Sequence, residues 1–135
     1  MVKSIKQDGC LRQFVEDNGT LVPIDFSELT FVPKRVFYVA GVPAGDIRGQ
    51  HAHYETQQLL ICVQGKISVH LYDGYKTETT VMRQHESVFV DRMIWDSQTY
   101  ETGEDVMLSL CSTEYDKADY IEDIKEFEKI VRTNQ

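Results

Sequence analysis

From Lys66 to Tyr72 the chain reads Lys-Ile-Ser-Val-His-Leu-Tyr, with Ile67, Val69 and Leu71 alternating against Ser68, His70 and Tyr72. A period of two marks a strand with one buried face, because successive side chains leave the backbone on opposite sides. Similar short runs recur along the chain: "LVPI", "RVFYVAG", "QLLICVQG", "KTETTVM", "SVFVD", "MIWDSQT" and "DVMLSLCS". Gln64-Gly65 and Asp73-Gly74 tolerate positive φ and read as hairpin turns. Many short strands at near-regular spacing predict an all-β fold, either an antiparallel barrel or a double-sheet jelly roll. No repeat, low-complexity tract or linker divides the 135 residues, so 1–135 reads as one domain.

Near the C-terminus the period changes. In "DYIEDIKEFEKIVRTNQ", Ile121, Ile124, Phe127 and Ile130-Val131 recur at three to four residues with Glu and Lys between them. This is the pattern of an amphipathic α-helix packed on the outside of the β structure. Asp119 reads as its N-cap, and Lys129 and Arg132 suit its C-terminal end.

The formal net charge of −8 disfavours nucleic acid and anionic membranes as partners. An anionic small ligand would therefore need local Arg or Lys against the overall field. No apolar stretch is long enough to span a bilayer, and "MVKSIKQDGCLRQF" lacks the apolar core of a signal peptide, so a cytoplasmic location is expected. Cys10, Cys62 and Cys111 are odd in number and fall at no ligand spacing. Cys62 and Cys111 sit in apolar runs and read as buried free thiols.

Chemistry concentrates in "RGQHAHYETQQ". His51 and His53, two apart on an extended segment, point to one face, which in a small barrel is the interior. The spacing Gly45, five residues, His51-Ala52-His53, three residues, Gln57, and then Gly65 resembles the first motif of the cupins, small jelly-roll β-barrels. Metal-binding cupins carry Glu where this chain has Gln57, and a further His where it has Asp96 after Trp95. His70 opposes the apolar face of its strand, and His85 lies in the polar turn "RQHES". Two imidazoles without an anionic ligand make a weak metal site, so no metal is expected. Proton transfer is the better use of the pair, since imidazole titrates at about 6.5.

The longer pattern "KRVFYVAGVPAGDIRGQHAHYETQQLLICVQGKISVHLYDG", then "WDSQ", then "YDKADYIEDIKEFEKIV", spans residues 18–131 and resembles the bacterial sugar-nucleotide 3,4-ketoisomerases, WxcM-like cupins that work without metal. The resemblance implies a cupin-type jelly roll with a C-terminal helix. It also implies an isomerase that moves the carbonyl of dTDP-4-keto-6-deoxy-D-glucose from C4 to C3 through an enediol, with no cofactor. On this implication His51 is the base at C3 and His53 its partner, with the order open.

Tyr38 matches an aromatic position and either bonds the sugar, relays a proton or is simply a strand tyrosine. Arg35 and Arg48 match arginines that would neutralise the diphosphate or polarise a sugar oxygen. The Gln57 amide would meet the sugar, and Trp95 would stack on the ligand or pack. Asn18, in the turn Asp17-Asn18-Gly19, stands where some relatives carry Arg, which leaves the C4 configuration open, with gluco the expectation. A homodimer with exchanged strands is implied, and "CLRQFV" reads as a strand able to cover a neighbour's edge. A sugar-nucleotide 3,5-epimerase and a non-catalytic sugar-nucleotide-binding cupin are the competing readings.

Overall fold

Strands form at most of the runs legible in the sequence. The computed structural model describes residues 11–133 and contains β1 (Phe14–Glu16), β2 (Gly19–Leu21), β3 (Arg35–Val39), β4 (Ile47–His53), β5 (Gln58–Gln64), β6 (Lys66–Tyr72), β7 (Thr77–Arg83), β8 (Ser87–Val90), β9 (Trp95–Tyr100), β10 (Val106–Cys111) and β11 (Tyr120–Ile121), followed by α1 (Ile124–Thr133). β1 and β2 form a separate ribbon. The others build a four-stranded sheet ordered β3-β10-β5-β8 and a five-stranded sheet ordered β11-β4-β9-β6-β7. Their pairings are antiparallel. Leu60, Cys62, Val69, Leu71, Val88 and Met107 belong to the buried core between the two sheets. The sheets remain open, so the architecture is the double-sheet jelly roll and not the closed barrel.

Local expectations divide. Asp73-Gly74 is a hairpin turn, with Tyr72 opposite Thr77 and the Asp73 carboxylate accepting from the Tyr75 and Lys76 amides at 2.8 Å. Gln64-Gly65 is not a hairpin: it is the corner where the chain leaves one sheet for the other. Gly65 sits at φ +90°, and a Cβ there would fall 2.0 Å from Asp105 Oδ1, which accepts from the Lys66 amide at 2.8 Å. "LVPI" is a strand only at Leu21, because Pro23 offers no backbone donor and a 3-10 turn follows at Phe26–Glu28. In "CLRQFV" the strand starts at Phe14, and Cys10 lies outside the described residues.

The predicted helix is also shorter. Asp119 lies in a 3-10 turn (Lys117–Asp119), and the next two residues pair with β4 as β11. Asp123 takes the capping position, its carboxylate accepting from the Lys125 amide at 2.9 Å. From there Phe127, Ile130 and Val131 pack on Ala52, Trp95 and Ile121, on the outer face of the five-stranded sheet. The helical period in the sequence was real, but cross-strand bonding won at Tyr120-Ile121. No helix among the described residues is long and apolar enough to cross a membrane.

Phe127 is fully buried and stands 5.8 Å from Trp95, ring to ring. Phe127→Ala is expected to cost about 3–5 kcal/mol, read as a fall in the urea midpoint of unfolding. A change within a few tenths of a kcal/mol would mean that α1 is not part of the cooperative fold.

Candidate active site

The inward faces of four strands change character along their length. β3 presents Arg35, then Phe37 and Val39; β5 presents Gln58, then Leu60 and Cys62. β10 runs from Cys111 through Ser109 to Met107, and β9 from Asp96 through Gln98 to Tyr100. The polar ends meet at one end of the sandwich. Ser109 and Cys111 both accept from the Gln58 amide, at 3.3 and 3.5 Å.

Against this polar end β4 contributes the basic side chains, through a break in its own regularity. Arg48 pairs with Gln98, and His51 with Asp96, so two residues on β4 span one on β9. The extra residue is a bulge in which Gly49 has φ +88° and Gln50 φ +63°. A Cβ on Gly49 would lie 2.8 Å from Gln98 Nε2 and 3.1 Å from the Asp96 carbonyl, so only glycine fits. By simple alternation Arg48 would face away from His51 and His53. The bulge resets the parity and puts all three on the inward face.

The imidazoles of His51 and His53 meet edge-on, their centroids 4.9 Å apart at 82°. Tyr120 closes on both, at 5.0 Å from His51 and 4.4 Å from His53. The Arg35 guanidinium interacts with the Tyr120 hydroxyl and the Cys111 thiol, and stands 5.6 Å over the Tyr115 ring. A cavity of about 80 Å³ opens beside them, lined among others by Phe37, Arg48, His51, Gln58 and Gln98. That is well below the roughly 300 Å³ of a small ligand pocket.

Burial shifts the ionisable groups here. His51 is lowered by burial, with Arg35 acting in the same sense against the Gly49 backbone and Glu122. His53, only 3% exposed, is pushed down to about 4 by burial and then by the neighbouring His51. Both rings are therefore neutral near pH 7 and able to accept a proton. Asp96, 1% exposed, is pushed up to about 7 by burial, against the lowering effect of the Gln98 amide that donates to it. Tyr100 in turn donates to Gln98 Oε1 at 3.2 Å, so the amide is held from both ends.

Four expected site residues lie elsewhere. Tyr38 is 71% exposed on the outer face of β3, because strand alternation turns Phe37 inward in its place. Gln57 precedes β5 and donates to Asp91 Oδ1 at 2.9 Å, and its neighbour Gln58 lines the cavity. Trp95 packs under α1, since its strand turns Asp96 inward. Asn18 is in the exposed turn of the β1–β2 ribbon. His70 bridges Thr79 and Thr99, at 3.1 and 2.9 Å. Among the described residues no group of three or more His, Cys, Asp or Glu is placed to hold a metal ion.

Comparisons with known proteins give the family. Residues 8–132 match the family model FdtA, described as WxcM-like, C-terminal. This chain belongs to that family. A curated relative, the TDP-4-oxo-6-deoxy-alpha-D-glucose-3,4-oxoisomerase of Aneurinibacillus thermoaerophilus, is 30% identical over 122 residues, covering 89% of this chain and 88% of its own. The 3,4-ketoisomerase of Helicobacter canadensis superposes with TM-score 0.88 at 25% identity over 97% of each chain. QdtA from Thermoanaerobacterium thermosaccharolyticum, a sugar 3,4-ketoisomerase in complex with TDP, also gives 0.88, at 24% identity over 93% of each chain. The enzyme class of the family is isomerase.

Tyr120, Asp96, Gln98 and Gln58 escaped the sequence reading. Tyr120 carried a signal, since "ADYIE" was part of the pattern, but helical spacing masked its strand. The others follow only from knowing which parity each strand presents.

The pH dependence of stability separates two of these groups. His53 stays neutral in the fold while the unfolded chain takes up a proton below about 6.5, so stability is lost as pH falls toward about 4. Asp96 has the opposite sign: its contribution is complete below the ordinary carboxyl value and is lost as pH rises to about 7. The two slopes oppose each other over most of that window. Asp96→Asn removes one, and its thermal stability relative to wild type is expected to grow by on the order of 2 kcal/mol between pH 4 and pH 7. An unchanged difference across that range would show that the carboxyl ionises as if in water.

Proposed function

We propose that this protein is a sugar-nucleotide 3,4-ketoisomerase that converts dTDP-4-keto-6-deoxy-D-glucose into the 3-keto isomer by histidine acid–base chemistry. The observation that carries this reading is the neutral, paired imidazoles at the cavity, beside an arginine, in a chain whose curated relative is a 3,4-oxoisomerase. QdtA binds TDP, which supports a thymidine diphosphate handle on the ligand here.

His51 lines the cavity and is the base, and His53 lies behind it. His51 takes the proton from C3, which is acidic because the C4 carbonyl delocalises the charge. The C3–H pair becomes the C3–C4 double bond, and the carbonyl oxygen, now an enediolate, takes a proton. The C3 hydroxyl then gives up its proton as the C3 carbonyl forms, and C4 receives a proton. Hydrogen has moved between carbons with no net oxidation, so no redox partner enters. Arg35 and Arg48 make no salt bridge among the described residues and supply positive charge to the enediolate and the diphosphate. Their position supports an answer to the charge problem: an acidic chain with two arginines, neither paired to a carboxylate among the described residues, at the polar end.

We also infer a homodimer. Val36, Tyr38 and Val63 are exposed on the outer face of the four-stranded sheet, and Phe14, Val15 and Leu21 on the β1–β2 ribbon. Apolar surface of this extent suits a second copy with exchanged strands, and light scattering at micromolar concentration is expected to give twice the 15.6 kDa chain mass. A monomer mass would remove this part. The free buried thiols Cys62 and Cys111 suit the reducing cytoplasm.

In deuterated buffer the product is expected to carry label at C4. Label at C5 would instead identify a 3,5-epimerase, and absence of exchange a binding protein. His51→Asn is expected to lower kcat by about 10²–10⁴-fold with the melting curve preserved; near-wild-type turnover would remove His51 as the base.

A further inference from the structure

The C-terminal segment before α1 is built into the histidine site more tightly than a connection requires. Asp119 grips the chain just after His53. Its carbonyl accepts from the Tyr54 amide at 3.0 Å, and its carboxylate from the Glu55 and Thr56 amides at 2.7 and 3.2 Å and from the Thr56 hydroxyl. Tyr120 then pairs with His53 in strand register and lays its ring against both imidazoles.

His53 Nε2 is buried and has no hydrogen-bond partner. A working imidazole is ordinarily oriented by a bond to its second polar nitrogen. With Nε2 unbonded, the orientation of this ring rests heavily on the rings packed around it, His51 on one side and Tyr120 on another. We propose that Tyr120 is a positioning residue for the His51–His53 pair, holding the rings in one arrangement and shielding His53 from water, and that Asp119 is the latch that keeps it there. This rests on the proposed proton transfer for its catalytic meaning, but not for its structural content.

The charged and titratable groups facing His53 are His51 on β4, Arg35 on β3, and Asp119 and Tyr120 on the segment itself; Glu122 faces His51. His51 and Arg35 disfavour a proton on His53 and Asp119 favours it, but burial is the largest influence. Opening the Tyr120 position therefore hydrates the ring and raises its titration midpoint.

The test is ring-proton NMR titration of His53 in the substrate-free protein, alongside the pH profile of kcat/KM. Tyr120→Ala is expected to raise the His53 midpoint by about one unit or more toward 6.5. The acid limb should move up in parallel, and kcat should fall by about 10–100-fold with a smaller change in KM. Tyr120→Phe keeps the ring and is expected to leave the midpoint near that of wild type. Thr56→Val, which strips a hydrogen bond from the Asp119 latch and leaves its charge in place, is the second probe should the alanine variant not fold, and is expected to raise the midpoint as well. An unmoved His53 midpoint in a folded Tyr120→Ala or Thr56→Val protein overturns the proposal. A moved midpoint in a protein that exchanges no sugar hydrogen leaves it standing and removes the ketoisomerase reading instead.

Discussion

One irregular residue on β4 decides what the interior can do. The strand enters with Arg48 facing inward, and an uninterrupted strand would send His51 and His53 to the opposite face. The bulge at Gly49-Gln50 inserts a residue, so the arginine and both imidazoles share the inward face, with Arg48 and His51 lining the cavity. The close approach of β9 at that point excludes any side chain on Gly49. Backbone geometry, more than any hydrogen bond between the side chains, assembles the candidate site.

A second constraint is the cost of placing polar groups between two sheets. The fold gathers them at one end of the sandwich and leaves the other to Cys62, Ile67, Tyr100 and Met107. At the polar end, desolvation pushes His51, His53 and Asp96 toward their neutral forms: the imidazoles lose proton affinity and Asp96 gains it. Neutral imidazoles are bases in waiting, and the same burial makes them weaker bases than free histidine. The proposed isomerisation would tolerate that weakness, because a proton next to a carbonyl is already acidified.

The two halves of the sandwich also divide the labour of the surface. The outer face of the five-stranded sheet is covered by α1 through Phe127 and Trp95, whereas that of the four-stranded sheet keeps Val36 and Tyr38 exposed. Tyr38, read from sequence as a site residue, belongs to this outer surface. The aromatic that shares the cavity with His51 is Phe37, which has no hydroxyl to contribute.

Sequence alone determined the strand runs, the amphipathic helix, the histidine pair and the need for local positive charge, because each is written in nearest-neighbour periodicity or composition. It also pointed to Arg35, Arg48, His51 and His53, all of which the fold brings to the polar end. Tertiary structure decided parity and partnership. Gln58 lines the cavity in place of Gln57 and Phe37 in place of Tyr38, while Asp96 turns into the sandwich in place of Trp95, each a shift of one residue. In a run such as "QQLLICV", buried on both faces, no alternation survives to tell one face from the other. Tyr120 lies 67 residues from His53 in sequence, and only the pairing of β11 with β4 puts the two rings in contact.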